Sequence, residues 1–286
     1  MKNNFIRPSG EGESWTLSID PVVKTFDNYF VESCQAAEEI YNLKEGNLHI
    51  MYSGGIDSEY ALSIFLHLGI PVTPVIIKLL PDYNNHDIEY ALKFCQKKNI
   101  KPIIIDINFD DFVESGKFEK VNEVAKSSVI MLPATCYALG LVDGSVICAQ
   151  NEPHIVKDEK TDIWYYDEFE GEHCCNRYMD EYGIDGTSFF LGYTPEMFAS
   201  FLMDPRMQDL ANNKVPGKLG NNSSKYIIYN RNNNFNLEDR PKFHGYEKIL
   251  DSKIMEHESL QYLLREDRPY DGTFKIEYHK LIKNLI

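Results

Sequence analysis

One short segment of the chain combines residue types that suit a phosphate ligand. The hexapeptide Ser53-Gly54-Gly55-Ile56-Asp57-Ser58 lies between an apolar run at Leu48–Tyr52 and an amphipathic run at Ser58–Leu68. Glycine lets backbone N–H groups approach an anion, serine hydroxyls add donors, and a helix N-terminus carries partial positive charge. The segment therefore predicts a phosphate-binding turn between a strand and a helix, formed by Ser53, Gly54, Gly55 and Ser58.

Asp57 within this segment predicts a cation. A carboxylate repels bare phosphate, but a hard ion such as Mg²⁺ can bridge the two. Asp57 is therefore the predicted metal ligand and a predicted catalytic residue. The segment has no lysine at its end, so it does not fit the Walker A pattern.

The elements around this segment alternate between short apolar strands and longer helices. Strands are predicted at 48–52, 72–77, 102–107 and 145–149, and helices at 26–43, 58–68, 86–98 and within 110–142. Such alternation is typical of βαβ units, in which a parallel sheet is covered on both faces. The predicted fold is a doubly wound α/β sheet of about five mostly parallel strands, with a helical C-terminal cap.

The hexapeptide in this setting resembles the PP-loop of the N-type ATP pyrophosphatases, a superfamily that includes asparagine synthetase and NAD synthetase. All six motif positions match, and the resemblance covers about residues 47–151. The helix predicted at 26–43 also resembles the lead-in to the synthetase domain of asparagine synthetase. The resemblance implies ATP and Mg²⁺ as cofactors, with AMP and pyrophosphate as products.

The implied reaction is ATP-dependent adenylation of a carboxylate or amide oxygen of an unknown small acceptor, followed by attack of a nitrogen nucleophile. The N-terminus lacks the Met-Cys start of the glutaminase in the asparagine synthetase type. Nitrogen is therefore expected from free ammonia, an amine, or a separate ammonia donor or glutaminase partner. Two alternatives stay open: a nucleobase- or tRNA-modifying PP-loop enzyme (amidation or thiolation), and an inactive nucleotide-binding or interaction protein.

Further candidate residues follow the predicted strands. Ligands of doubly wound sheets bind beyond the carboxyl ends of the strands. Lys78 is a candidate for the ribose or the phosphates, Asn151 and Glu152 for the substrate, and Lys157 for closing over pyrophosphate. A basic cluster at 240–247 adds Arg240 and Lys242 as candidate catalytic cations. For each lysine and arginine, the alternative is a solvated surface side chain.

Three regions are predicted along the chain. Residues 1–44 form an N-terminal arm and helix, 45–155 the ATP-binding α/β domain, and 156–286 an acidic substrate region with the helical cap. Residues 151–210 hold 14 acidic side chains, which could recognise a cationic substrate or form a solvated face. A polar loop is predicted at 212–224, a strand at 225–230, and helices at 246–264 and 276–285.

Composition limits the class of protein. The chain has 286 residues and a net charge of −15, which disfavours a nucleic-acid binder because phosphate backbones repel an acidic surface. No apolar run of membrane-spanning length is present, and the N-terminus has no signal-like apolar segment. We expect a cytoplasmic protein with reduced thiols, and a homo-oligomer is compatible with the sequence.

The segment His173-Cys174-Cys175 raises the question of a metal or a sulfur carrier. Adjacent cysteines are a poor pair for one tetrahedral zinc ion, and the sequence has no second cysteine pair. We therefore expect a tightly packed segment with small, partly buried side chains.

Overall fold

The computed structural model of the chain describes residues 5–150, 152–215, 221–238, 247–264 and 270–286, without the side chains of 221–223. Its strands, in chain order, are β1 (Ile6–Ser9), β2 (Thr16–Ile19), β3 (Leu48–Met51), β4 (Thr73–Leu80), β5 (Ile103–Asn108), β6 (Ser145–Ile147), β7 (Ile155–Asp158), β8 (Ile163–Phe169), β9 (Gly186–Thr187) and β10 (Thr273–Glu277). Its helices are α1 (Tyr29–Leu43), α2 (Ile56–His67), α3 (Asn85–Lys98), α4 (Phe109–Glu114), α5 (Lys117–Ala125), α6 (Leu132–Leu139), α7 (Cys174–Tyr182), α8 (Pro195–Leu202), α9 (Pro205–Ala211), α10 (Asn221–Tyr229), α11 (Glu247–Leu250), α12 (Glu258–Leu263) and α13 (Tyr278–Leu285).

A parallel sheet forms the centre of the fold. Among the described residues it has five strands in the order β5-β4-β3-β6-β9, and every neighbouring pair is parallel. The predicted doubly wound α/β sheet is therefore confirmed. Strand β9 lies beyond the domain boundary predicted near residue 155, so the sheet also takes a strand from the later region.

Helices cover both faces of this sheet. This explains why its strands have consecutive apolar residues instead of alternating apolar and polar ones. Side chains alternate between the faces along a strand. Ile50 packs in one buried cluster with Leu62 and Phe65 of α2, whereas the next residue, Met51, packs in the other cluster with Phe118 of α5. The central strand is thus enclosed on both sides.

A second, antiparallel sheet follows in the later region. In the described parts of the chain it has three strands in the order β10-β8-β7. Its last strand, β10, was not predicted: the helix expected at 276–285 begins only at Tyr278, after the strand has ended at Glu277.

Two other predictions for the C-terminal region are wrong. Residues 225–230 do not form a strand, because Ser224, Lys225, Ile228 and Tyr229 are buried at helical spacing and belong to α10. Tyrosine and isoleucine favour strands in isolation, but burial along one helical face overrides that preference. The single helix expected at 246–264 is interrupted within its described part, because Ser252 and His257 have extended backbone angles.

No helix among the described residues has both the length and the apolar character that crossing a membrane requires.

Candidate functional site

The turn between β3 and α2 is shaped by one glycine. Gly54 has a φ of +87°, which side chains other than glycine rarely adopt. A Cβ at this position would lie 2.5 Å from the carbonyl oxygen of Asp87 and 3.0 Å from the amide nitrogen of Ala91, both on α3. Gly54 therefore lets the turn pack directly against the backbone of α3.

Hydroxyl groups complete the turn. Ser53 Oγ lies 3.1 Å from Ser58 Oγ and accepts a 3.3 Å hydrogen bond from the Gly55 amide. Gly55 is the N-cap of α2 and offers no side chain to cap that helix. The first turn of α2, with its partial positive charge, is thus left to a ligand.

A cavity of about 320 Å³ opens beside this turn. One wall is the turn itself, with Ser53, Gly55 and Ser58. Most of the remaining lining is apolar (Met51, Val75, Ile77, Leu79, Met131 and Leu132), and Asn84 and Asp87 add polar side chains to it. Gln150 also lines the cavity, and its buried Oε1 has no hydrogen-bond partner among the described residues. Size, apolar wall and convergent polar groups are those of a small-molecule site.

The predicted metal ligand, Asp57, contacts residues from a distant part of the chain. Asp57 Oδ2 accepts a 2.6 Å hydrogen bond from Lys225 Nζ, and Asp57 Oδ1 accepts one of 2.8 Å from the Tyr229 hydroxyl. Lys225 Nζ also donates to Glu152 Oε1 at 2.7 Å. One ammonium group is therefore shared by two carboxylates, and both were predicted site residues.

Burial and charge shift the pKa values of this cluster. Burial, together with the charge of Glu152, raises the pKa of Asp57 despite the opposing effect of Lys225. Burial also opposes ionisation of Glu152, but the charge and hydrogen bond of Lys225 outweigh it and lower its pKa. For Lys225, burial favours the neutral form, yet the two carboxylates raise its pKa above the ordinary value. Lys225 is thus a cation held between two acids.

A stack of aromatic rings positions Lys225. Tyr229, one helical turn after Lys225, stacks on Tyr60 of α2 with ring centroids 4.3 Å apart and an interplanar angle of 11°. Tyr29 of α1 stacks on both of these rings, with centroids 5.5 Å from Tyr60 and 6.0 Å from Tyr229. The stack joins α10 to α2, and α2 starts within the Ser53–Ser58 turn. The stack therefore fixes the position of α10 relative to the turn.

The other residues predicted for the site lie on different strands or outside the described residues. Lys157 lies on β7 of the antiparallel sheet, with Nζ 2.5 Å from Asp162 Oδ1. Lys78 lies on β4, where Ile77 and Leu79 line the cavity, so alternation places its side chain on the other face of the sheet. Asn151, Arg240 and Lys242 lie outside the described residues.

Sequence reasoning missed Lys225 and Tyr229. Both were assigned to a strand, which hid their i, i+4 spacing on one helical face. The buried positions Ser224, Lys225, Ile228 and Tyr229 follow a helical period, and that period was the available signal.

The acidic region beyond the site is partly a buried network of charges. His154 Nε2 lies 2.8 Å from Asp167 Oδ1, and His173 Nε2 lies 2.6 Å from Glu168 Oε1. Burial favours neutral His154, but the hydrogen bond to Asp167 and the surrounding carboxylates raise its pKa to about 9. Burial raises the pKa of Glu172, which faces His154, to about 7. This part of the acidic region is therefore internal and is not a solvated face.

Comparison with known proteins gives only distant structural likenesses. No family model and no curated protein matches the chain. The chain is similar to the NH3-dependent NAD synthetase from Campylobacter jejuni in complex with the nitrate ion, with 15% identity, a TM-score of 0.34, and coverage of 71% of this chain and 91% of that chain. It is also similar to NMN synthetase from Francisella tularensis, with 19% identity, a TM-score of 0.35, and coverage of 76% of this chain and 100% of that chain. Both TM-scores lie below one half, so these likenesses decide nothing about the chemistry of the site.

The cluster fits a divalent cation in its donor types. Asp57 and Glu152 present oxygen ligands, which Mg²⁺ prefers, and each side chain keeps about a quarter of its surface exposed. The ammonium group of Lys225 already lies between them, so a positive charge is accommodated there.

Proposed function

We propose that the chain is an ATP-dependent adenylating synthetase that converts ATP to AMP and pyrophosphate. The observation that carries this proposal is the cavity beside the Ser53–Ser58 turn, whose lining combines apolar side chains with the serine hydroxyls and the start of α2, the helix on which Asp57 accepts a hydrogen bond from Lys225. A nucleotide needs an apolar surface for its base and positive groups for its phosphates, and this site offers both.

The proposed nucleotide spans the cavity. The base lies against Met51, Val75 and Ile77, with the free Gln150 Oε1 available to accept a hydrogen bond from an exocyclic amine. The phosphates lie at Ser53, Gly55, Ser58 and the first turn of α2, while Gly54 shapes the turn from behind. Lys78 lies on the other face of the sheet, so we propose no direct contact between Lys78 and this nucleotide.

The proposed chemistry begins when an acceptor oxygen attacks the α-phosphorus of ATP. The bond from that phosphorus to the bridging oxygen breaks, and pyrophosphate leaves. Lys225 would exchange its carboxylate partners for the departing phosphates, where a fixed positive charge stabilises developing negative charge. Mg²⁺, when bound, would be held by Asp57 and Glu152 and would neutralise phosphate charge.

The second half-reaction would use a nitrogen nucleophile, as in an asparagine synthetase-like enzyme. We propose that an ammonia donor, an amine or a separate glutaminase supplies the nitrogen. Glu152 would face the acceptor, because Glu152 follows β6 and reaches Lys225, and Asn151 stays a proposed substrate residue. Lys157, Arg240 and Lys242 stay proposed cations for the closed state.

Product analysis tests the proposal. ATP labelled at the α- or γ-phosphate is incubated with the protein, Mg²⁺, ammonium and a panel of carboxylate and amide acceptors. We expect label in AMP and pyrophosphate, with AMP release dependent on one acceptor. ADP and phosphate as the main products would contradict adenylation, and tight ATP binding without turnover on any acceptor would favour the inactive nucleotide-binding alternative.

A further inference from the structure

Three thiols meet in the core on the face of the sheet that α6 and α7 cover. Cys136 belongs to α6, and Cys174 and Cys175 are the first two residues of α7. Cys136 Sγ lies 3.8 Å from Cys175 Sγ, and Cys174 Sγ lies 4.0 Å from Cys175 Sγ. All three sulfur atoms lie within 4.8 Å of one another, and all three residues are fully buried.

Two sides of this sulfur triangle have the length that a three-coordinate metal requires. An ion at the centre of an equilateral triangle lies at the side length divided by √3 from each corner, so a metal–sulfur bond of about 2.3 Å requires sulfur atoms about 4.0 Å apart. The two sides given above have that length. The same spacing is about twice a disulfide bond, so the three residues are reduced thiols.

Two sources of positive charge lie near these sulfur atoms. Cys174 and Cys175 lie at the N-terminus of α7, where the helix dipole is positive and no side chain of His173 caps the backbone. Arg177, one turn later, is held nearby by hydrogen bonds from its guanidinium to the carbonyl oxygens of Ala125, Lys126 and Glu170. A metal–thiolate complex with net negative charge is therefore partly balanced.

The surroundings oppose ionisation of two of the thiols when no ion is bound. Hydrogen bonds with the neighbouring thiols, together with burial, raise the pKa of Cys136 well above its ordinary value, and burial does the same for Cys174.

The number of available protein ligands indicates which metal ion the three thiols would bind. In the part of the chain that the structure describes, no fourth histidine, cysteine, aspartate or glutamate joins the group. Structural zinc sites almost always have four ligands, whereas thiolates select soft ions such as Cu(I). We propose that Cys136, Cys174 and Cys175 form a three-thiolate site for Cu(I) that joins α6 to α7.

Loading this site involves no redox change. Three S–H bonds break, three protons leave to solvent, and the sulfur electron pairs form three bonds to Cu(I), which keeps its oxidation state. The site is separate from the proposed reaction, but α6 also contributes Ala134 and Thr135 to the cavity wall. A bound ion would therefore hold that wall in place without contacting the nucleotide.

Competitive titration tests the site. The full-length, reduced Cys34→Ser protein is titrated anaerobically with Cu(I) in the presence of a chromogenic Cu(I) chelator, because Cys34 is the one cysteine of the six that is not buried. We expect one tight equivalent, release of three protons, and an X-ray absorption spectrum with three sulfur neighbours at about 2.3 Å. Because the thiols are buried, the titration is repeated on protein refolded with Cu(I).

Variants assign the ligands. Cys136→Ser should weaken Cu(I) binding at least tenfold, whereas Cys95→Ser, which removes a buried thiol of α3, should leave it unchanged. Circular dichroism confirms folding of each variant, and Cys136→Ala replaces Cys136→Ser if the hydroxyl disrupts the core. Failure to retain Cu(I) after both treatments, equal binding by the Cys136 variant, or Zn(II) binding as tight as Cu(I) binding would each overturn the proposal.

Discussion

The two sides of the candidate site hold charge by different means. On the side of the turn, the groups facing the ligand are backbone amides and hydroxyls, fixed by the packing of Gly54 against α3. On the side of α10, the group is the flexible ammonium of Lys225, which is paired with Asp57 and Glu152. The first side is held by backbone packing, whereas the second is a long side chain that we propose changes partners. The turn therefore gives the proposed site its fixed shape, and α10 gives it a charge that can change partners.

Removing the exchangeable charge, the ammonium of Lys225, should cause the largest loss of unfolding free energy. Lys225→Met leaves Asp57 and Glu152 facing one another, and breaking such a buried pair costs about 3–5 kcal/mol of unfolding free energy. Urea denaturation measures the loss, and calorimetry with ATP should show weakened binding. Lys225→Arg, which keeps the charge, should recover part of both.

Lys157→Met is the matched control for this variant. Its ion pair with the largely exposed Asp162 should contribute less than about 1 kcal/mol. Equal stability of the Lys225 and Lys157 variants would show that the shared ammonium is no more important than a surface pair.

Changing the fixed side should have the next largest effect. Gly54→Ala combines a positive φ with a backbone clash, and we expect a loss of about 3 kcal/mol in unfolding free energy. Gly55→Ala is the control, because Gly55 has a φ of −72° and a Cβ there would meet only Ser53 Oγ, at 3.4 Å. Thermal unfolding compares the two variants, and a tolerated Gly54→Ala would mean that the turn is not rigid.

Asp57 lies where the two sides meet, and its role in holding Mg²⁺ can be isolated. Asp57→Asn keeps the shape of the side chain and an acceptor for Tyr229 but removes the negative charge. We expect ATP binding to lose most of its dependence on Mg²⁺, with a change of about 1–2 kcal/mol measured by titrating Mg²⁺ at several pH values. A shifted pH–rate profile with unchanged metal dependence would instead indicate proton transfer.

The smallest change in stability should come from replacing His154, which belongs neither to the turn nor to α10. Its pKa is raised to about 9 in the folded chain, so its contribution to stability is complete below its unfolded pKa of about 6.5 and is lost as the pH rises towards 9. Relative to wild type, His154→Gln should flatten the stability profile across that window by on the order of 1–2 kcal/mol. Urea denaturation at intervals from pH 6 to pH 9.5 measures the profile, and parallel curves would contradict the assignment.

The features that could be predicted from the sequence are those that depend on residues close together in the chain. The turn at Ser53–Ser58 and four strands of the central sheet, β3 to β6, follow from glycine spacing and apolar runs and were found, whereas the two-residue strand β9 was not predicted. Lys225 was missed because its partners are far away in the chain and its neighbours Tyr226 and Ile227 favour strands. The acidic region 151–210 was left as either a site for a cationic substrate or a solvated face, because composition does not show that His173 pairs with Glu168 in the core. Cys136 likewise joined Cys174 and Cys175 only through packing of α6 on α7.

The distance along the chain between Asp57 and Lys225 also has a consequence for the order of folding. The pair is separated by 168 residues, and Glu152 and Lys225 by 73. Contacts between distant residues close large loops, so they form after local strands and helices. During synthesis the turn and the central strands up to β6 emerge well before α10. A nascent chain that has not yet reached α10 therefore has Asp57 and Glu152 without the ammonium that separates them in the finished fold.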